Sequence, residues 1–157
     1  MLLRMYAWID STPLSIALRH SRVAVPIIET IHLLAIALAV GTILVIDLSI
    51  LGVGIRRQAV PKITSELAPW TGIGFGAAAA TGLFLFWSEA AKMSCKPIFW
   101  AKLALLAIAF AFHFTAHRRV TATALPIAPG RERVTAGVSL ALWFGVAFGG
   151  KAVGLIG

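Results

Sequence analysis

The chain has 157 residues, 59% of them hydrophobic and 13% charged, with a formal net charge of +8 and a mean hydropathy of +0.91. Soluble domains carry about 25% charged residues, so this composition excludes a soluble globular domain and points to an integral membrane protein. The lone Cys95 excludes an internal disulfide and the paired-cysteine zinc, iron–sulfur and c-type haem sites, and no segment offers the solvated basic face that nucleic-acid binding needs.

Residues 1–23 read as an interfacial preamble. Asp10-Ser11-Thr12-Pro13 has the form of a helix start, with a hydroxyl cap and a proline in the first turn. The apolar residues after it, then Arg19, His20 and Arg22, fit a short helix lying in the membrane interface, with Tyr6 and Trp8 at headgroup level. No cleavable signal peptide is expected, because residues 1–20 lack a continuous apolar core and a small-residue cleavage site.

About 20 apolar residues cross a bilayer core, and four stretches reach that length. The first runs from about 25 to 54 and ends before Arg56-Arg57. Residues 56–69 read as a polar connection with Pro61 and Pro69. The second span is about 70–91. Its Gly72, Gly74, Gly76, Ala77 to Ala80 and Gly82 allow close helix packing or leave room for a flat ligand. The third is about 98–117 and the fourth about 134–156, with Lys151 able to snorkel to the headgroups. The expected fold is an all-α integral membrane protein: a four-helix transmembrane bundle with a short N-terminal interfacial helix, one membrane domain over 1–157. The connections after spans one and three carry Arg56, Arg57, Lys62, Arg118, Arg119, Arg131 and Arg133; the other side carries Arg4, Arg19, Arg22, Lys92, Lys96 and Lys151. Basic residues mark the cytoplasmic side, which places both termini outside, in the periplasm of a bacterial inner membrane.

Two of these spans carry ionisable side chains, which are costly in lipid and normally face protein or a cavity. In span one, Glu29, His32 and Asp47 fall within about 60° of each other at about 100° per residue. In span three, Lys102 and His113 differ by only about 20°, and His117 lies one turn below His113. At about 1.5 Å rise per residue, the polar groups sort into two depth-matched clusters. Glu29, His32 and Lys102 form the outer one; Asp47, His113 and His117, with Arg118 nearby, form the inner one.

Three chemistries use such groups. One is internal ion pairing that fixes helix orientation, as in an accessory subunit of a larger membrane complex or a homo-oligomer. The second is ligation of b-type haem by imidazole, with Lys102 and Arg118 as partners for its carboxylates, and Glu29 and Asp47 orienting the imidazoles. The third is passage or sensing of copper or another metal ion through Glu29, His32, His113 and His117, with Met93 and Cys95 as soft loop ligands. For haem held by two histidines, His32 and His113 come out about 19 Å apart along the bundle axis.

The stretch Glu29-Thr30-Ile31-His32-Leu33-Leu34-Ala35-Ile36-Ala37, with Gly41 and Asp47-Leu48 after it, resembles the first conserved helix of the CopD/HemJ-like bacterial membrane proteins. Trp100-Ala101-Lys102-Leu103, with His113 eleven residues after the lysine, resembles a later helix of the same group. Its small, uncharacterised four-span members are the nearest in form. The HemJ-type resemblance implies haem association and protoporphyrinogen oxidation, with His32, Lys102 and His113 at the matching positions. The CopD-type resemblance implies copper passage across the inner membrane. The sequence thus points to a site between spans one and three that holds haem b or a related redox cofactor on His32 and His113.

Overall fold

The computed structural model describes residues 2–53, 60–122 and 129–155. Among them all regular structure is helical: α1 (Leu2–Asp10), α2 (Pro13–His20), α3 (Ala24–Leu51), α4 (Val60–Ser88), α5 (Ala90–Ser94), α6 (Pro97–Phe112), a π-helical turn (His113–His117), α7 (Arg118–Ala122) and α8 (Pro129–Leu155). Gly54, Arg56, Arg57 and Ile156, and the side chains of Arg4 and Lys151, lie outside the described residues. Three helical segments are long and apolar enough to cross a membrane: Ala24–Leu51, Val60–Ser88 and Pro97–His117. The 27-residue α8 packs against both α3 and α6.

The element ends follow local chemistry. α3 stops at Leu51 because Gly52 takes a left-handed φ of 79°; the Val53 and Gly52 N–H groups then bond the carbonyls of Leu48 and Ser49. The preamble is two helices rather than one. Thr12 caps α2, its hydroxyl accepting from the Ser15 N–H, with Pro13 in the first turn. This pair folds onto the end of α4: the Trp87 indole N–H donates to Thr12 Oγ1 at 3.0 Å, and Tyr6 meets Phe86 edge-on. Arg19 reaches back to the carbonyl and carboxylate of Asp10.

The stretch expected as a polar connection is mostly helix. α4 begins at Val60, so its first ten residues precede the span read from hydropathy. Pro61 sits in the first turn, where its missing N–H costs nothing. Pro69 lies inside the helix, where it forfeits one backbone bond. Packing carries the helix through it: Val60, Ile63 and Leu67 cluster with Ile46, Ile50 and Ala136. Tertiary burial outweighs local propensity here.

α3 and α4 pack antiparallel along most of their length. Successive rungs of one register are His32 with Thr81, Ala39 with Gly74, and Thr42 with Thr71, whose hydroxyls are 2.8 Å apart. A Cβ on Gly74 would lie 2.8 Å from the Ala39 nitrogen, 2.9 Å from the Ala39 Cβ and 3.0 Å from the Ala35 carbonyl oxygen. Small residues therefore permit backbone contact here. α6, by contrast, makes no extended backbone approach to α3 or α4. Aromatic side chains span that gap: Phe75 of α4 lies 4.6 Å from Phe110 of α6 and 5.1 Å from Trp143 of α8, centroid to centroid. Ile43, Ala109, Trp143 and Val146 are the buried residues of this middle layer.

Gly74→Ala is expected to destabilise the protein by about 1–3 kcal/mol, because the clash is with backbone. Gly72→Ala, where a Cβ meets nothing within 4 Å, is expected to be neutral or slightly stabilising. Denaturant unfolding of both variants in detergent checks this; equal stabilities would contradict the close contact.

Candidate functional site

The ionisable side chains occupy two levels, above and below the aromatic layer. In the inner level, Asp47 of α3 and His117 of the π turn are 0% and 1% exposed. His117 Nε2 lies 2.7 Å from Asp47 Oδ1. A carboxylate oxygen accepts, so Nε2 carries the donated proton. The His113 ring stacks on His117, with centroids 5.0 Å apart at 23°, and faces Phe75 and Trp143 edge-on at 5.8 and 6.3 Å. Thr121 Oγ1 donates to the His117 carbonyl.

The π turn bears on this placement. A π turn takes in one residue more than an α turn, which rotates the later residues by about 100° relative to an unbroken α-helix. His117 thus leaves the α register that the sequence spacing assumes, while still stacking on His113 and meeting Asp47 across the bundle.

The outer level is built on His32. Its Nδ1 lies 2.9 Å from Thr81 Oγ1. The Thr81 hydroxyl has one proton, which it gives to the Ala77 carbonyl at 2.6 Å. Nδ1 is then the donor to Thr81, with the Ala78 carbonyl also within hydrogen-bonding reach of the ring, and with Nδ1 protonated the neutral ring keeps its lone pair on Nε2. Gly82 makes space for the ring: a Cβ there would lie 3.1 Å from His32 Cε1. Lys102 of α6 is half-buried and within electrostatic range of His32. It has no hydrogen-bond or ion-pair partner among the described residues.

The other anticipated residues fall as follows. Glu29 is exposed, in the second turn of α3, although its charge is felt at His32. It lies on the same stripe as Asp47 but in turns of α3 that nothing covers, since α3 has buried positions only from Ala35 onward. Arg118 is exposed and near His113 in charge terms. Asp47 orients an imidazole, but that of His117 rather than His32 or His113. Along α4, the Phe75 partner of His113 and the Thr81 partner of His32 are six residues apart, about 9 Å in depth rather than the roughly 19 Å expected from the sequence spacing. Two imidazoles on opposite sides of one metal, at bonds of about 2 Å, stand about 4 Å apart. His32 and His113 therefore belong to separate levels. Among the described residues no three His, Cys, Asp or Glu side chains gather as a metal ion would need.

A family model described as a family of unknown function, DUF6644, matches residues 6–156. The chain belongs to this DUF6644 family. No curated protein and no solved structure matches it.

Three side chains of this DUF6644 protein matter to the two levels and are not singled out by ionisable-group reasoning. Thr81 sets the His32 tautomer; its signal is a lone hydroxyl directly after four alanines. Ser139 and Trp143 of α8 are buried at 0% and 3%, and their Oγ and Nε1 atoms have no hydrogen-bond partner among the described residues. Span four holds no acid or histidine between Val134 and Ile156, so nothing in it flags them.

His117→Ala would leave both Asp47 oxygens unpartnered in a fully buried position, and about 3–5 kcal/mol of stability is expected to go. The double variant Asp47→Ala/His117→Ala should recover part of that loss, because the orphaned carboxylate goes too. Chemical unfolding in detergent reads the difference; strictly additive losses would mean that the two residues are not coupled.

Proposed function

We propose that this DUF6644 protein is a four-span protein of the bacterial inner membrane that holds b-type haem, or a related redox cofactor, on His32 for electron transfer or redox chemistry. In this reading α8 is the fourth span, α1 and α2 lie in the outer interface, and both termini are periplasmic. The observation that carries it is the His32 tautomer. The Thr81 hydroxyl accepts from Nδ1–H, which leaves the Nε2 lone pair for a metal. A ligating histidine nearly always has its second nitrogen held in this way.

Two further features support the reading. Lys102 is a half-buried cation within a membrane-spanning helix, within electrostatic range of His32 and without a hydrogen-bond or ion-pair partner among the described residues. An ammonium there suits the carboxylate of an amphiphilic cofactor. α6 also stands off from α3 and α4 by more than backbone contact, and bundles site cofactors between such helices. When bound, the cofactor would supply one-electron chemistry; the chain's part is to ligate through His32, hold its ring through Thr81 and Gly82, and neutralise charge through Lys102. The likeness of residues 29–48 and 100–113 to CopD/HemJ-like proteins supports the same assignment. Copper passage through Glu29, His32, His113 and His117 is the weaker alternative, because these residues are split between two levels and His117 is committed to Asp47.

Protein purified from haem-sufficient cells is expected to show a Soret band. His32→Ala should abolish it, Thr81→Val should weaken haem affinity by about 10–100-fold, and His113→Ala should leave it in place. Absence of the band in the unmodified protein would overturn the assignment; its loss in His113→Ala would return His113 to the ligand set.

A further inference from the structure

The inner level contains more than the Asp47–His117 pair. Four buried polar atoms in or beside it have no hydrogen-bond partner among the described residues: Asp47 Oδ2, His113 Nδ1, Ser139 Oγ and Trp143 Nε1. They come from three helical segments, α3, the π turn and α8. A chain of contacts ties three of them together: Asp47 to His117 at 2.7 Å, His117 to His113 at 5.0 Å between rings, and His113 to Trp143 at 6.3 Å between rings. Ser139 is placed by register. It lies one turn from Trp143 and one turn from Ala136; Ala136 packs on Ile46 and Ile50, which flank Asp47. On one side lie Phe75 and Phe110, the aromatic neighbours of Trp143; on the other lie Ile46, Ile50, Val60 and Ala136.

A buried polar atom left unbonded costs about 1–3 kcal/mol, so each of these four calls for a partner. The atoms also constrain what could satisfy them. The indole N–H of Trp143 can only donate, which disfavours a metal cation. The Asp47 carboxylate accepts, which disfavours an anion. Ser139 can do either, and His113 Nδ1 can do either according to its tautomer. The small species that accepts from one side and donates to the other is water, which typically makes about three bonds to such groups when buried.

We propose that Asp47, Ser139, His113 and Trp143 enclose an internal water site in the half of the bundle below the aromatic layer. The water joins the Asp47–His117 pair to His113, so that polar contact runs continuously from α3 through α8 to the π turn. This joins two imidazoles and a carboxylate by groups able to pass a proton, with Asp47 and His117 themselves closed to solvent. The proposal is independent of any cofactor at His32, which lies on the other side of the aromatic layer.

The test is solid-state NMR on the full chain in lipid bilayers with nitrogen-labelled tryptophan indoles, reading magnetisation transfer from water to each indole proton. Transfer to Trp143, only 3% exposed, is expected to be as fast as to Trp100 at the exposed start of α6. Ser139→Val, which fills the space and removes the hydroxyl, is expected to cut transfer at Trp143 several-fold. Ser139→Ala, which removes the hydroxyl but leaves the space, is expected to retain it and guards against misfolding of the valine variant. Slow transfer at Trp143 in the unmodified protein would overturn the proposal. So would transfer unaffected by Ser139→Val, or a signal that disappears when sodium replaces choline in the buffer, which would mark a cation site instead.

Discussion

The hydrogen bond from His117 to Asp47 is the constraint around which the rest of the bundle is arranged. It closes the gap between α3 and the end of the α6 segment, two elements whose backbones do not otherwise run together. A carboxylate at 0% exposure cannot be left alone in an apolar interior, so any arrangement of these helices must bring it a donor. The π turn supplies one. Its extra residue moves His117 off the α register of Lys102 and His113 and allows α6 to hold its distance from α3 while its last turn reaches across. Such turns are rare and concentrate where function demands a local departure from the helix.

The α3–α4 pair works by the opposite means. There the helices meet backbone to backbone at Gly74, and threonine hydroxyls rather than charges make the cross-links at Thr42–Thr71 and His32–Thr81. In lipid such contacts replace a hydrophobic driving force between helices, since acyl chains are as apolar as leucine. One side of α3 is thus held by shape and neutral hydrogen bonds, and the other by a single buried acid–imidazole contact. The aromatic layer of Phe75, Phe110 and Trp143 fills the space that neither device closes.

Much of this is legible in the sequence, for identifiable reasons. The cost of burying ionisable groups in apolar helices picks out Asp47, His113 and His117 as companions, and His32 with Lys102 as another set, because depth along a helix is a simple function of residue number. Azimuth is less legible. Glu29 shares the stripe of His32 by arithmetic, yet α3 is little covered over its first turns, so the same stripe there is exposed. The π turn is invisible to a calculation that assumes a constant angle per residue. The first ten residues of α4 read as a connection because Pro61, Pro69 and a run of polar side chains outweigh, locally, the three apolar residues that pack on Ile46 and Ile50. Thr81, Ser139 and Trp143 escape notice because neutral side chains pay little to enter a membrane, so their presence there carries no warning of a role.

The two polar levels also differ in kind. The inner one is sealed above by aromatics and below by aliphatic side chains, with its acid fully committed on one oxygen. The outer level has no such lock. His32 and Lys102 are only half-buried, Glu29 is exposed, and the helix carrying Lys102 makes no extended backbone approach to α3 or α4. Under the proposed function a ligand would arrive or leave there without disturbing the Asp47–His117 contact. The buried acid–imidazole contact orients the helices, and the open level carries none of that task.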